Sequence, residues 1–278
     1  MSAPSLYSKI AHSREMLHLH KHFQKYFKVV PATTPELVNE SLRIRHAVYC
    51  EELGWEPTSE NGLEMDAYDK NALHCLLMAV NSQRYIGCVR IVLPNPDDLS
   101  HSLPLQELCK NKLYSGHPDL DAMAKSELAE VSRLAIVADF RRRKNERANP
   151  VSLNLEDDSS MQGRRRFPYI PVGLYIGMLE LASFYGIKTL YLVTERMLAT
   201  HFSRLGGNLT PVGEFVEHRG KRRPYVMDVD KVLKKTSIFM RPLIWTIRKD
   251  VETALSESPE ISDAKGRIKK KWRRCEAS

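Results

Sequence analysis

Between Arg45 and Asp69 the chain gathers Arg45, Tyr49, Trp55, Glu64, Asp66 and Asp69, a set that packing alone seldom demands. Glu64, Asp66 and Asp69 crowd three carboxylates into six residues, which repel one another unless cations or a polar ligand compensate them. Arg45 and the later Arg90 and Arg133 are the cations at hand, and Tyr49 and Trp55 offer an aromatic wall beside them. Glu130-Val131-Ser132-Arg133 then adds a second carboxylate and arginine inside what reads as a buried strand. A charged site that receives a polar ligand is one reading. The other is a buried arginine–carboxylate network that only positions strands, with Tyr49 and Trp55 as core residues.

The elements that must position these residues are legible in outline. Residues 1–24 are polar with a weak helical stripe and read as an N-terminal arm, and Lys25 to Val30 reads as a strand. Thr34-Pro35-Glu36 combines a capping side chain with proline in the first turn, so a helix starts there and runs to Gly54. Residues 73–81 and 85–93 form an antiparallel hairpin that carries Arg90, and Leu128 to Val137 forms the strand with Glu130 and Arg133. A helix from Pro168 to about Tyr185, a strand over 188–194, a helix over 196–205 and a closing hairpin of 210–216 with 224–229 follow. This order predicts an α/β (α+β) layered domain. Its central sheet is mixed and mostly antiparallel, flanked by helices, with one parallel pair where the Pro168 helix crosses over. The expected division is an arm (1–24), a main domain (25–236) with a basic insertion at about 139–166, and a C-terminal helix with a basic disordered tail (237–278).

Composition narrows the class. At 278 residues, 42% hydrophobic and 27% charged, the chain can bury a substantial core. Its net charge of +8 is concentrated in residues 265–278, where seven Lys or Arg and one Glu give +6 and leave about +2 for the rest. Nucleic acid is therefore not an expected partner, because the charge sits at one end and the acidic motif would go unexplained. The tail is a candidate for weak contact with an anionic membrane surface. Five scattered cysteines without a C-x-x-C pair suggest neither a disulfide framework nor a zinc site, and His18, His20 and His22 lack acidic or cysteine partners, so no metal is expected. With no apolar run of membrane-spanning length, a cytoplasmic location, at most peripheral to the inner membrane, is expected.

The blocks R-x-x-x-Y (Arg45 to Tyr49), L-G-W (Leu53 to Trp55), E-x-D-x-Y-D (Glu64 to Asp69), G-x-x-R (Gly87 to Arg90) and E-x-S-R (Glu130 to Arg133) together resemble those of acyl-homoserine lactone synthases, autoinducer makers with the GNAT fold. The resemblance covers roughly residues 26–230. Length, insertion and tail look more like PEP-CTERM/exosortase system-associated acyltransferases and N-acyl amino acid synthases. The resemblance implies a GNAT-type acyltransferase, with Arg45, Tyr49, Trp55, Asp66, Asp69, Arg90, Glu130 and Arg133 at positions used for acceptor binding and catalysis.

Acyl transfer to an amine needs a neutral amine, a polarised thioester carbonyl and a dry cleft that holds both. Glu64 and Glu130 are the candidate bases, with Arg133 as a further catalytic group. Arg45, Tyr49, Trp55, Asp66, Asp69, Arg90 and Ser132 would line the acceptor site, Asp66 and Asp69 holding a cationic acceptor or anchoring arginines. The resemblance implies no bound cofactor; S-adenosylmethionine or an amino acid would be the small-molecule amine acceptor. Acetyltransferases using coenzyme A hold its pyrophosphate on a glycine-rich turn after the fourth strand. Here that turn is Asp139 to Asn145, with Arg141, Arg142, Arg143 and Lys144 and no glycine pair. It suits an acidic acyl carrier protein that brings a medium or long acyl chain. Acyl-coenzyme A remains the alternative donor, a coenzyme A-dependent acetyltransferase the alternative enzyme, and a basic nucleic-acid- or membrane-surface-binding protein the alternative class.

Overall fold

The computed structural model describes residues 18–95, 103–115, 125–141 and 169–258. The centre of the basic insertion, Arg142, Arg143, Lys144 and the basic tail lie outside them. Among the described residues, eight strands form one sheet: β1 (Phe27–Pro31), β2 (Ala72–Ala79), β3 (Arg84–Val92), β4 (Leu128–Ile136), β5 (Thr189–Thr194), β6 (Thr210–Pro211), β7 (Val216–Glu217) and β8 (Lys221–Asp228). Their order is β1-β2-β3-β4-β5-β8-β6, with β7 on β8, and every pairing is antiparallel except β4 with β5. The parallel pair is the one joined across the Pro168 helix, as the sequence predicts. The closing hairpin differs from expectation: β8 begins at Lys221, and β6 and β7 are two-residue fragments that both pair with it.

The helices are α1 (Leu19–Tyr26), α2 (Pro35–Arg45), α3 (Pro104–Leu108), α4 (Ala138–Arg141), α5 (Tyr169–Phe184), α6 (Arg196–Phe202), α7 (Val229–Lys235) and α8 (Arg241–Ser256). The period-2 alternation of β2 sorts the two faces of the sheet. Cys75 and Leu77 meet α5, where Gly173 and Gly177 permit close approach: a Cβ at Gly173 would stand 2.6 Å from the Phe23 ring, and one at Gly177 2.6 Å from a Val29 methyl. His74 turns the other way, its Nδ1 3.1 Å from the Ser41 hydroxyl on α2. One face is therefore apolar and the other carries charge.

Two expected appendages belong to the same core. Leu19 and Phe23 of α1, and Leu243, Ile247, Val251 and Leu255 of α8, are buried with the sheet and α5, so residues 18–24 and the C-terminal helix pack as parts of the domain. Their apolar residues recur at helical spacing and need a partner surface.

Candidate active site

The helix over Arg45 is capped as its sequence predicts, the Thr34 side chain accepting from the Leu37 N–H and Pro35 standing in the first turn. It ends differently. From His46 to Glu52 the chain winds as a π-helix, and Gly54 then takes a left-handed φ of 62°. The Tyr49 carbonyl accepts from the N–H groups of both Trp55 (2.7 Å) and Glu56 (3.2 Å). This wide turn, of a kind frequent at functional sites, brings the Tyr49 and Trp55 rings to 6.0 Å between centroids, stacked at 24°.

Asp66 caps the short 3-10 turn Ala67–Asn71 reciprocally with Asp69: the Asp66 carboxylate accepts from the Tyr68 N–H, and Asp69 Oδ2 accepts from the Asp66 N–H at 2.8 Å. The fixed carboxylates receive the arginines. Arg45, fully buried, donates from Nε to Glu64 Oε2 (2.5 Å) and through both Nη atoms to Asp69 (2.6 and 3.0 Å). Arg90 donates from Nε to the Ser132 hydroxyl (3.0 Å) and from Nη1 to Asp66 (2.6 Å) and Asp69 (2.8 Å). Arg133 meets Glu64, Glu56 and Asp66 within 3.2 Å, and Arg219 meets Glu56 at 2.5 Å. Four arginines thus face four carboxylates. Of the two uses predicted for Asp66 and Asp69, the structure shows the anchoring of arginines.

This balance fixes the protonation states. Burial resists the ionisation of Glu64, but hydrogen bonds from Arg45 and the charge of Arg133 outweigh it and hold its carboxyl below the usual range. Asp69 is depressed further, burial again being outweighed by Arg45 and Arg90. Burial and the nearby Arg45 push His74 down to about 4, so its ring is neutral at physiological pH. Glu130 contrasts with all of these. It is 3% exposed, accepts the Leu105 N–H at 2.7 Å, and receives no arginine among the described residues. Burial raises its carboxyl to about 8, only partly offset by that hydrogen bond and the charges of Arg90 and Arg133. Although Glu130 and Arg133 are three residues apart, they take different partners.

The reason lies in the backbone of β4. Cys88 pairs with Ala135 and Arg90 with Ser132, so β4 carries one extra residue against β3. Arg133 sits in this bulge with a φ of 53°, a left-handed conformation that costs a non-glycine residue about 1–2 kcal/mol. Its ion pairs hold it there. On the other side of β4, pairing with β5 stops at Val131 and Leu192, and the strands part. A cavity of about 110 Å³ opens in the gap, lined by Val131 to Leu134, by Leu174, Tyr175 and Met178 of α5, and by Leu192 to Glu195, Phe202 and Arg222 among others. Tyr49 also lines it and donates its hydroxyl to the Leu134 carbonyl at 2.9 Å. The gap therefore has an apolar floor and a rim of Tyr49, Arg133 and Ser132 that touches the charged network.

Several residues emerge that the sequence did not single out as site residues. Glu56 joins Arg133 to Arg219; the guanidinium groups of Arg219 and Arg222 lie over the Trp55 ring at 5.8 and 5.5 Å. The run Arg219 to Arg223, which reads as basic surface, thus turns two of its arginines onto the aromatic wall. Tyr175 stacks on Phe202 (4.3 Å, 10°), and its buried hydroxyl has no hydrogen-bond partner among the described residues. Arg141, expected at a docking surface, is instead buried and paired with Glu52. The signal for Glu56 was its place beside Trp55; nothing local marked Tyr175.

Comparison with known proteins finds similarity in part of the sequence and in the fold. Residues 44–148 match the acetyltransferase (GNAT) domain family. Acyl-homoserine-lactone synthases from Aeromonas salmonicida and Aeromonas hydrophila are each 35% identical over 57 residues, 20% of this chain; the chain spans only 27% of their length. Among solved structures, the AHL synthase LasI superposes with a TM-score of 0.51 at 16% identity, covering 76% of this chain and 96% of LasI. TofI, solved with an inhibitor and MTA, gives 0.53 at 20% identity over 78% of this chain and 96% of its own. BjaI, a CoA-dependent acyl-homoserine lactone synthase solved with SAM and isopentyl-CoA, gives 0.50 at 19% over 81% and 89%. Residues 44–148 thus match the acetyltransferase (GNAT) domain, and the fold is similar to that of the acyl-homoserine-lactone synthases.

Proposed function

We propose that this protein is an N-acyltransferase that moves a medium or long fatty acyl chain from the thioester of an acyl carrier protein to the α-amine of an amino acid or a derivative such as S-adenosylmethionine. The observation that carries the reading is the parting of β4 from β5 over an apolar cavity rimmed by Tyr49, which stacks on Trp55, and by Ser132 and Arg133, which join the arginine–carboxylate network. An acyl chain fits the apolar floor, and the thioester carbonyl then lies beside backbone groups of residues 132–135, which have no ladder partner on β5.

Of the two candidate bases, Glu130 is the better suited. Its proton affinity, near that of a neutral-pH base, lets it take the ammonium proton through an intervening water, whereas Glu64 is held ionised by two arginines and is a weak base. The amine attacks the carbonyl carbon, the C–N bond forms, the C–S bond breaks, and the thiol leaves with a proton. Arg133, at the rim, orients the acceptor and offsets charge that develops on the carbonyl oxygen.

The carrier-protein donor is supported by the turn after β4, which has basic residues and no glycine pair. Placement beside PEP-CTERM/exosortase-associated acyltransferases rests on length, insertion and tail, and a cytoplasmic location on scattered cysteines without a disulfide pattern. No helix among the described residues is long and apolar enough to cross a membrane. The test is a reconstituted reaction: purified protein is given a palmitoyl thioester on acyl carrier protein or on coenzyme A, with S-adenosylmethionine or free amino acids, and products are read by mass spectrometry. An N-acyl product with higher kcat/KM for the carrier-protein donor is expected. Preference for the coenzyme A thioester would overturn the donor assignment, and no N-acylation with any pair would overturn the activity.

A further inference from the structure

Every arginine of the acidic network has a carboxylate partner, but Arg222 has none among the described residues. It stands on β8 opposite Val216, lines the cavity, and lies over the Trp55 ring with its guanidinium carbon 5.5 Å from the ring centroid. Its Nε is buried without a hydrogen-bond acceptor. The charged groups near it are Arg219 and Arg133, which are cations already committed to Glu56 and Glu64, and Glu195, which lines the same cavity and attracts Arg222 without forming an ion pair. Burial and the two neighbouring cations therefore make Arg222 easier to deprotonate than an ordinary arginine.

A half-buried guanidinium short of an acceptor, on the wall of a cavity beside a stacked aromatic, is a site prepared for an anion. We propose that Arg222 is the carboxylate-binding residue of the acceptor site: it receives the α-carboxylate of the amino acid or amino acid derivative that is acylated. This deepens the function proposed above and rests on it. Two features favour a carboxylate. A guanidinium presents a planar fork of donors, which suits a planar, two-oxygen acceptor. In addition, Arg90 and Arg133 each already give two of their three nitrogens to Asp66, Asp69, Glu64, Glu56 or Ser132. The other anion a thioester donor brings is the phosphate of its pantetheine arm, and the experiment separates the two.

Binding of S-adenosylmethionine, and of each protein amino acid in turn, to the purified full chain is measured by calorimetry. The tightest binder is then compared with its α-carboxamide on wild type, Arg222→Gln and Arg222→Lys, and KM for acyl donor and acceptor is measured on the same proteins. Wild type is expected to prefer the acid over the amide by at least about tenfold, Arg222→Gln to lose that preference, and Arg222→Lys to keep part of it, with donor KM changed less than about twofold. Retained preference in Arg222→Gln, a wild type that binds acid and amide alike or neither, or a rise in donor KM alone would overturn the assignment. Because binding is read without turnover, acid-selective binding that depends on Arg222 in a protein that makes no N-acyl product would refute the acyltransferase reading and leave the carboxylate site standing.

Discussion

The two sides of β4 have opposite polar bookkeeping. Toward β3, the carboxylates Glu56, Glu64, Asp66 and Asp69 are matched by Arg45, Arg90, Arg133 and Arg219, mostly at 2.5–3.2 Å. Toward β5, the ladder stops at Val131, the Tyr175 hydroxyl and the Arg222 Nε are left without partners, and a cavity separates the strands. The first region has little left to offer a ligand; the second has unmet valences and space. The contrast teaches that the most conspicuous charged motif in a chain can be the frame of a site, while the groups that meet the ligand are those the frame leaves unsatisfied.

The comparison breaks most readily at Arg45. Replacing it by alanine strands Glu64 and Asp69 as buried carboxylates, which is expected to cost about 3–5 kcal/mol in urea denaturation and to lower the yield of folded protein. A loss below about 1 kcal/mol would show that the network is not the frame.

Next in size is Glu130→Gln, expected to lower acyl transfer by about 10²–10⁴-fold while the protein stays folded by circular dichroism. Wild-type kcat/KM should rise with pH through about 8 as the Glu130 proton leaves. The sign for stability is the reverse. The folded state keeps this proton between about 4.5 and 8, where the unfolded chain has released it, so the Glu130 contribution to stability falls as pH rises across that window. In Glu130→Gln that fall should vanish from denaturation curves measured at several pH values.

A smaller effect sharpens the other region. Tyr175 separates the cavity from a second, apolar gap among Val172, Leu179, Leu205 and Ile244. Tyr175→Ala should join the two and shift the preferred acyl chain longer by several carbons, read as product distribution by mass spectrometry. Tyr175→Phe, which keeps the ring, should leave chain length unchanged, with activity within about twofold; a shift of equal size in both would remove the wall role.

Much of the fold was legible because its signals are local. Thr34-Pro35 marked a helix start, Gly54 its end, and alternating apolar residues the β2–β3 hairpin. The C-terminal helix was legible as a helix but not as core, since nothing local tells which surface will cover its apolar stripe. The candidate site was half legible for the same reason. Repulsion among Glu64, Asp66 and Asp69 demands cations, so the partnership with Arg45, Arg90 and Arg133 can be argued from residue types. The π-helical turn at His46–Glu52, the β4 bulge under Arg133 and the cavity follow from strand register and packing. Arg222 and Tyr175 gain their meaning only from that geometry, and the burial of Arg141 against Glu52 is equally invisible in the sequence.

The most direct test of acyl transfer itself is mass spectrometry of lipid extracts from cells that express the wild-type protein beside cells that express Glu130→Gln. An N-acyl amino acid or acyl-homoserine lactone present only with the wild type is the predicted result, and its mass would identify acceptor and chain. No new acylated species, with both proteins soluble and acyl carrier protein available, would contradict the account.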